Sequence, residues 1–247
     1  MATFEETRGG ILRDALGIGL GTGAYALSFG ALAVASGLSV LQTQALSVLM
    51  FTGASQFAMI GVLATGGGAV VAVATAALIG TRNSFYALHM SPLLGMRGWR
   101  RLPAAQLTID ESTGMALAHE EAGPRSTRLA FWATGLSIYV LWNLGTLIGA
   151  VGAGLLDDPA IYGLDAAAPA AFLALLWPRL GTWPMRLAAG SALVVAVIAT
   201  PLLRPGIPVL VAGAVGVAVG LATGAGSSPD ESGSTAATGD RSPEATP

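Results

Sequence analysis

From Ala15 to Thr81 the chain runs for 67 positions without an Asp, Glu, Lys or Arg. An apolar helix of about 20 residues spans the roughly 30 Å hydrocarbon core of a bilayer. The run therefore holds about three membrane segments, separated by Gly and Ser. Reading apolar stretches against charged and Gly/Pro punctuation along the rest of the chain predicts segments near 15–35, 44–65, 68–90, 129–156, 166–178, 187–203 and 206–224. The expected fold is all-α, a polytopic transmembrane helical bundle of about six to seven apolar segments, with broken or re-entrant helices among them.

The polar punctuation sets an expected orientation. Arg97, Arg100 and Arg101 crowd one loop, and Arg125, Arg128, Arg179 and Arg186 lie in other short connections. Basic short loops face the cytoplasm, whereas the loop with Asp157, Asp158 and Asp165 has no basic residue and suits the outer side. Three plain crossings starting from the cytoplasm would put the Arg97–Arg101 loop outside. Either the N-terminus is external, or one early segment enters and leaves on the same face, and 44–65, interrupted at Gly53 and Ser55, is the natural one. The stretch 103–122 carries Asp110, Glu111, His119, Glu120 and Glu121 with Arg on both flanks. It reads as a surface helix or a re-entrant one.

Composition narrows the function. Hydrophobic residues make up 53% of the chain and charged residues 11%, against about 25% charged in soluble domains. Residues 15–224 form one membrane domain after a short N-terminal segment, 1–14. The tail 225–247, rich in Gly, Ser, Pro and acid, reads as disordered. No small-residue cleavage site closes the first apolar run, so that run is expected to stay as an anchor. The net charge of −2 offers no basic patch for phosphates, which argues against nucleic acid as a partner. With no Cys, thiolate catalysis, disulfides and Cys-ligated metals are excluded. The two histidines show no metal-ligand spacing, and no metal or other cofactor is expected.

Three clusters carry possible chemistry. Gly53-Ala54-Ser55-Gln56-Phe57 puts a small polar break inside an apolar segment. A half-helix starting there frees backbone amides that bind a carboxylate at the positive end of the helix dipole, and Gln56 adds a donor and an acceptor. Close helix packing at Gly53 and Ser55, with Gln56 as an interhelical hydrogen bond, explains the same residues. The string imitates a Gly-x-Ser-x-Gly nucleophile elbow but has Phe57 for the second Gly, and only His89 and His119 are available to activate Ser55. An enzyme is not expected. Arg82, with Asn83 beside it and Tyr86 one helical turn on, is an ionisable residue late in an apolar segment; it lines a polar interior or snorkels to the interface. Asp110 and Glu111 are its expected counter-charge or proton-coupling carboxylates, although a solvated helix face suits them too. Tyr25, Tyr139, Trp142 and Asn143 read as packing and interface residues.

Together these strings resemble the AzlC family: Gly53-Ala54-Ser55-Gln56-Phe57 in a second apolar segment, Arg82 and Tyr86 late in a third closed by Ser91-Pro92, an Arg-rich loop, then Thr108-Ile109-Asp110-Glu111. The resemblance covers about residues 10 to 224. It implies the large subunit of a bacterial exporter of branched-chain amino acids in the cytoplasmic membrane, driven by the membrane potential or proton gradient. A small AzlD-type membrane subunit is the implied partner. It further implies Gly53, Ser55, Gln56, Arg82, Tyr86, Asp110 and Glu111 as functional positions. Gly80 and Asn83 depart from the Asn and His that the family often carries around the Arg, and Ile109 is inserted in its Thr-Asp-Glu string. The expected mechanism seats the substrate carboxylate at the Gly53–Gln56 break, its ammonium at Asp110 or Glu111, and its aliphatic group against Phe57 and Met59. A permease for another small solute and a non-transporting membrane scaffold are the other readings.

Overall fold

The computed structural model describes residues 4–153 and 180–224, with isolated positions 155, 173, 176 and 177 between them. Its helices are α1 (Phe4–Ala35), α2 (Val40–Leu49), α3 (Ala54–Ala64), α4 (Ala69–Leu94), α5 (Arg101–Gln106), α6 (Asp110–Ala118), α7 (Pro124–Ala153), α8 (Trp183–Ala199) and α9 (Ile207–Ala222), with a 3-10 turn at Gly98–Arg100. Among the described residues no strand is present.

The centre of the fold is the pairing of α1 with α7, the two helices among the described residues that are long and apolar enough to cross a membrane. Lipid tails are as apolar as leucine, so helices in a bilayer associate by close packing, and small residues permit it. A Cβ at Gly145 would strike the Gly23 carbonyl oxygen, one at Gly149 the Leu27 carbonyl, and one at Gly30 the Thr146 carbonyl. Backbone meets backbone there. The outer surfaces carry leucine and valine instead: Leu12, Leu16 and Leu20 on α1, and Val140, Leu144, Ile148 and Val151 on α7, are exposed. Thr43, Ser47, Gln56, Thr134 and Thr146 are buried. Greasy outside and hydroxyl-lined inside is the reverse of a water-soluble domain, and it fits a lipid-facing surface.

The predicted segment 44–65 is two half-helices. α2 has 10 residues and α3 has 11, each about half the hydrocarbon thickness at about 1.5 Å per residue. The stretch 103–122 is not a surface helix. It folds as α5 and α6 with a break at Leu107–Ile109, and α6 packs on α7 with Ser112 and Ala116 buried. Its charges sit at its ends while small residues face inward, which a mildly apolar average conceals. The first helix begins at Phe4, so Arg8, Arg13 and Asp14 belong to the same helix as the apolar run that follows. α8 and α9 form a hairpin whose turn reaches the α3–α4 connection: Gly206, at φ +89°, lies against Val62 and Val71, too close for any side chain. Segment 166–178 lies almost wholly outside the described residues, and the tail 225–247 entirely so.

Candidate functional site

Both helix breaks are built alike. α2 begins at a capping box in which Ser39 and Gln42 bond each other's backbone amides. It ends at Leu49, and the chain turns through Gly53, whose φ of +58° suits glycine. Gln56, fully buried, then reaches back across the turn. Its Oε1 accepts from the Gly53 amide at 3.1 Å, and its Nε2 donates to the Leu46 carbonyl at 3.3 Å. Val48, whose carbonyl faces the same end of α2, accepts from Gln106 Nε2 at 2.9 Å and Tyr139 Oη at 3.3 Å. These side chains satisfy carbonyls that a broken helix leaves without an intrahelical donor.

The second break repeats the device with a shorter residue. Ser112 Oγ accepts from the Ile109 amide at 3.1 Å and donates to the Leu107 carbonyl at 2.6 Å, while Thr108 Oγ1 donates to the Ala104 carbonyl at 2.7 Å. Gln56 and Ser112 occupy the same place, three residues after the cap. α6 then opens with Asp110 and Glu111, negative charges where the helix dipole favours them.

α4 touches both breaks, on different faces. Arg82 Nη1 lies 2.7 Å from Asp110 Oδ2, with side chains 33% and 22% exposed, so the expected counter-charge is in place and ties α4 to α6. The other face looks at the α2–α3 turn. Val73, Ala76, Ala77, Gly80, Thr81 and Ser84, which recur on one side of the helix, line an open cavity of about 390 Å³ with Met50, Thr52, Ser55 and Met59. Ser55 is fully buried there, and a Cβ at Gly80 would sit 3.4 Å from its Oγ. The Ser55 and Thr52 hydroxyls have no hydrogen-bond partner among the described residues. The Gln56 and Phe57 amides both bond the Gly53 carbonyl. That leaves Ala54 and Ser55 as the amides at the start of α3 with no partner among the described residues.

The predicted residues therefore fall into two places rather than one. Gly53, Ser55 and Gln56 meet at the first break, with Ser55 at the cavity and Gln56 turned to the backbone as a stitch. Arg82 and Asp110 join at the second, where Glu111 follows in the first turn of α6. Asn83 has its Oδ1 buried without a partner among the described residues, and Tyr86, half-buried, makes no hydrogen bond to Arg82. Two expectations change. The Asp110 carboxylate already holds Arg82 and is not among the residues lining the cavity at Ser55, and Phe57 packs inside an aromatic cluster instead of against the cavity. Its ring stacks on Tyr25 at 4.7 Å and meets Phe29 and Trp142 edge-on at 5.5 and 6.4 Å. Ser55 Oγ bonds neither histidine, and His119 Nδ1 is 2.9 Å from the Met115 carbonyl. Among the described residues no three acidic or histidine side chains gather as a metal site.

Sequence reasoning passed over Met50, Thr52, Thr81 and Ser84, and took Gly80 only as a departure from the family pattern. The signal was the run of small residues at helical spacing from Ala76 to Ser84. It also took Tyr139 and Asn143 for plain packing residues, whereas they anchor α2: Gln44 Nε2 donates to Asn143 Oδ1 at 3.2 Å, beside the Tyr139 bond to Val48.

A chain helical throughout its described elements, with an apolar exterior and helices broken at buried polar turns, fits the membrane-transport class. The AzlC protein family matches residues 17–156, more than half the chain and including both breaks, and the chain belongs to that family. Neither a curated protein nor a solved structure matches it.

Proposed function

We propose that the chain is the large subunit of a secondary transporter that exports branched-chain and other hydrophobic amino acids. It would sit as a multi-pass protein in the bacterial cytoplasmic membrane, working with a small AzlD-type membrane subunit. The observation that carries this reading is the pair of helix breaks on opposite faces of α4, one opening on a cavity and the other closed by an ion pair. Transporter sites are commonly made by discontinuous helices whose half-helix N-termini meet anionic groups, and family membership points the same way. A zwitterion carries two charges that lipid rejects, and unpaired amides and hydroxyls at the break replace water at one of them. Movement of α4 against either break would expose the cavity in turn to the two sides. No catalytic step is needed.

The reading is tested in cells loaded with leucine-, valine- or methionine-containing dipeptides, following external amino acid with and without the chain and its small neighbour. Faster efflux of these amino acids is expected, with alanine or a basic amino acid unaffected. Efflux equal to the control for every hydrophobic amino acid, with the protein present in the membrane, overturns export.

A further inference from the structure

The cavity at the α2–α3 break is the richest feature of the described molecule. At about 390 Å³ it lies near the small end of the about 300–1,000 Å³ typical of small-molecule sites, a fit for one amino acid rather than a peptide. Its walls differ in chemistry. One end holds the buried Ser55 Oγ beside the Ala54 and Ser55 amides at the start of α3, an 11-residue helix, none of them with a partner among the described residues. The rest is aliphatic or thioether: Met50, Met59, Val73, Ala76 and Ala77. Thr52 and Ser84 add hydroxyl oxygens. Among the described residues no charged side chain lines it. A lone anion with a cationic partner is therefore not what the walls fit. They fit a carboxylate at the Ser55 end, an ammonium on neutral oxygens, and an apolar side chain between the methionines.

We propose that this cavity binds the carboxylate end and the aliphatic side chain of the transported amino acid, with Ser55 as the polar anchor and Gly80 as the residue that limits side-chain size. The proposal deepens the export reading and rests on it for the solute class. Gly80 faces Ser55 across the cavity, and a Cβ there is only 3.4 Å from Oγ, an ordinary contact. Gly80→Ala is accommodated, whereas the branched side chain of Gly80→Val has nowhere to go but the cavity. The Arg82–Asp110 pair stands on another face of α4 and ties helices together without touching the solute.

The experiment is binding to the purified full chain in detergent micelles, by titration calorimetry, of leucine, valine, phenylalanine and leucinamide, which lacks the carboxylate. Leucine is expected to bind at least tenfold more tightly than leucinamide. Ser55→Ala, which removes a hydrogen-bond donor to the carboxylate, should weaken leucine about tenfold, equivalent to about 1.4 kcal/mol. Gly80→Val should weaken leucine more than valine. Met59→Ala, which widens the pocket, should gain affinity for phenylalanine, an outcome that misfolding does not imitate. Equal leucine affinity in wild type, Ser55→Ala and Gly80→Val, or an unchanged phenylalanine affinity in Met59→Ala, overturns the cavity as the site while leaving efflux, measured separately in cells, to decide export. Absence of binding by all four compounds overturns it as well.

Discussion

Gln56 shows how a residue that looks like a ligand can serve the backbone. Its amide bonds a donor on one side of the turn and an acceptor on the other, Gly53 and Leu46. Gln56→Leu leaves both unpaired in a buried place, each costing about 1–3 kcal/mol. The expected outcome is a fall in thermal stability together with transport, and full stability with lost transport would contradict it. Gln56→Glu keeps the acceptor for Gly53 but loses the donor to Leu46, and should fall between. Arg82 and Asp110 are coupled at 2.7 Å, so Arg82→Met and Asp110→Asn should be less than additive in a double-mutant cycle, with a coupling energy of about 0.5–3 kcal/mol. Strict additivity would show that the pair contributes nothing. Of these residues, the sequence made the Arg82–Asp110 charge complement legible, because unpaired charges are costly in an apolar run. The role of Gln56 was not legible, because a side-chain amide looks the same whether it faces a solute or a backbone carbonyl.

At the scale of elements, the segments 68–90, 129–156, 187–203 and 206–224 reappear as α4, α7, α8 and α9 with shifts of a few residues at their ends. Length and hydropathy suffice for that. They do not suffice for half-helices: α5 and α6 have 6 and 9 residues, and their interior positions are small rather than hydrophobic. What makes α6 part of the core is burial against α7, a tertiary fact. The α1–α7 seam is built on Gly19-x-x-x-Gly23 and Gly145-x-x-x-Gly149, spacings that bring helix backbones together and that the reading of apolar segments passed over. Gly149→Leu and Gly145→Leu drive a side chain into the facing backbone. Each should abolish the monodisperse peak in size-exclusion chromatography of detergent-extracted protein. Gly17, on α1, has open space around its missing Cβ, so Gly17→Ala should be tolerated and stabilise by about 0.5–1 kcal/mol. A reversal of that order would place the seam elsewhere.

For the molecule as a whole, the inverted distribution of polarity and the two breaks flanking α4 argue for a protein whose solvent is lipid and whose business is moving a solute. The family match, residues 17–156, takes in most of α1, all of α2 to α7 and both breaks, and the C-terminal hairpin braces the α3–α4 turn through Gly206. The most direct measurement is exchange in proteoliposomes: purified chain with its small subunit, unlabelled leucine inside and labelled leucine outside. Uptake of label above protein-free vesicles, stimulated by internal leucine and lost in Gly80→Val, is the predicted result. Uptake indistinguishable from protein-free vesicles for leucine, isoleucine, valine and methionine, with monodisperse protein incorporated, would contradict it.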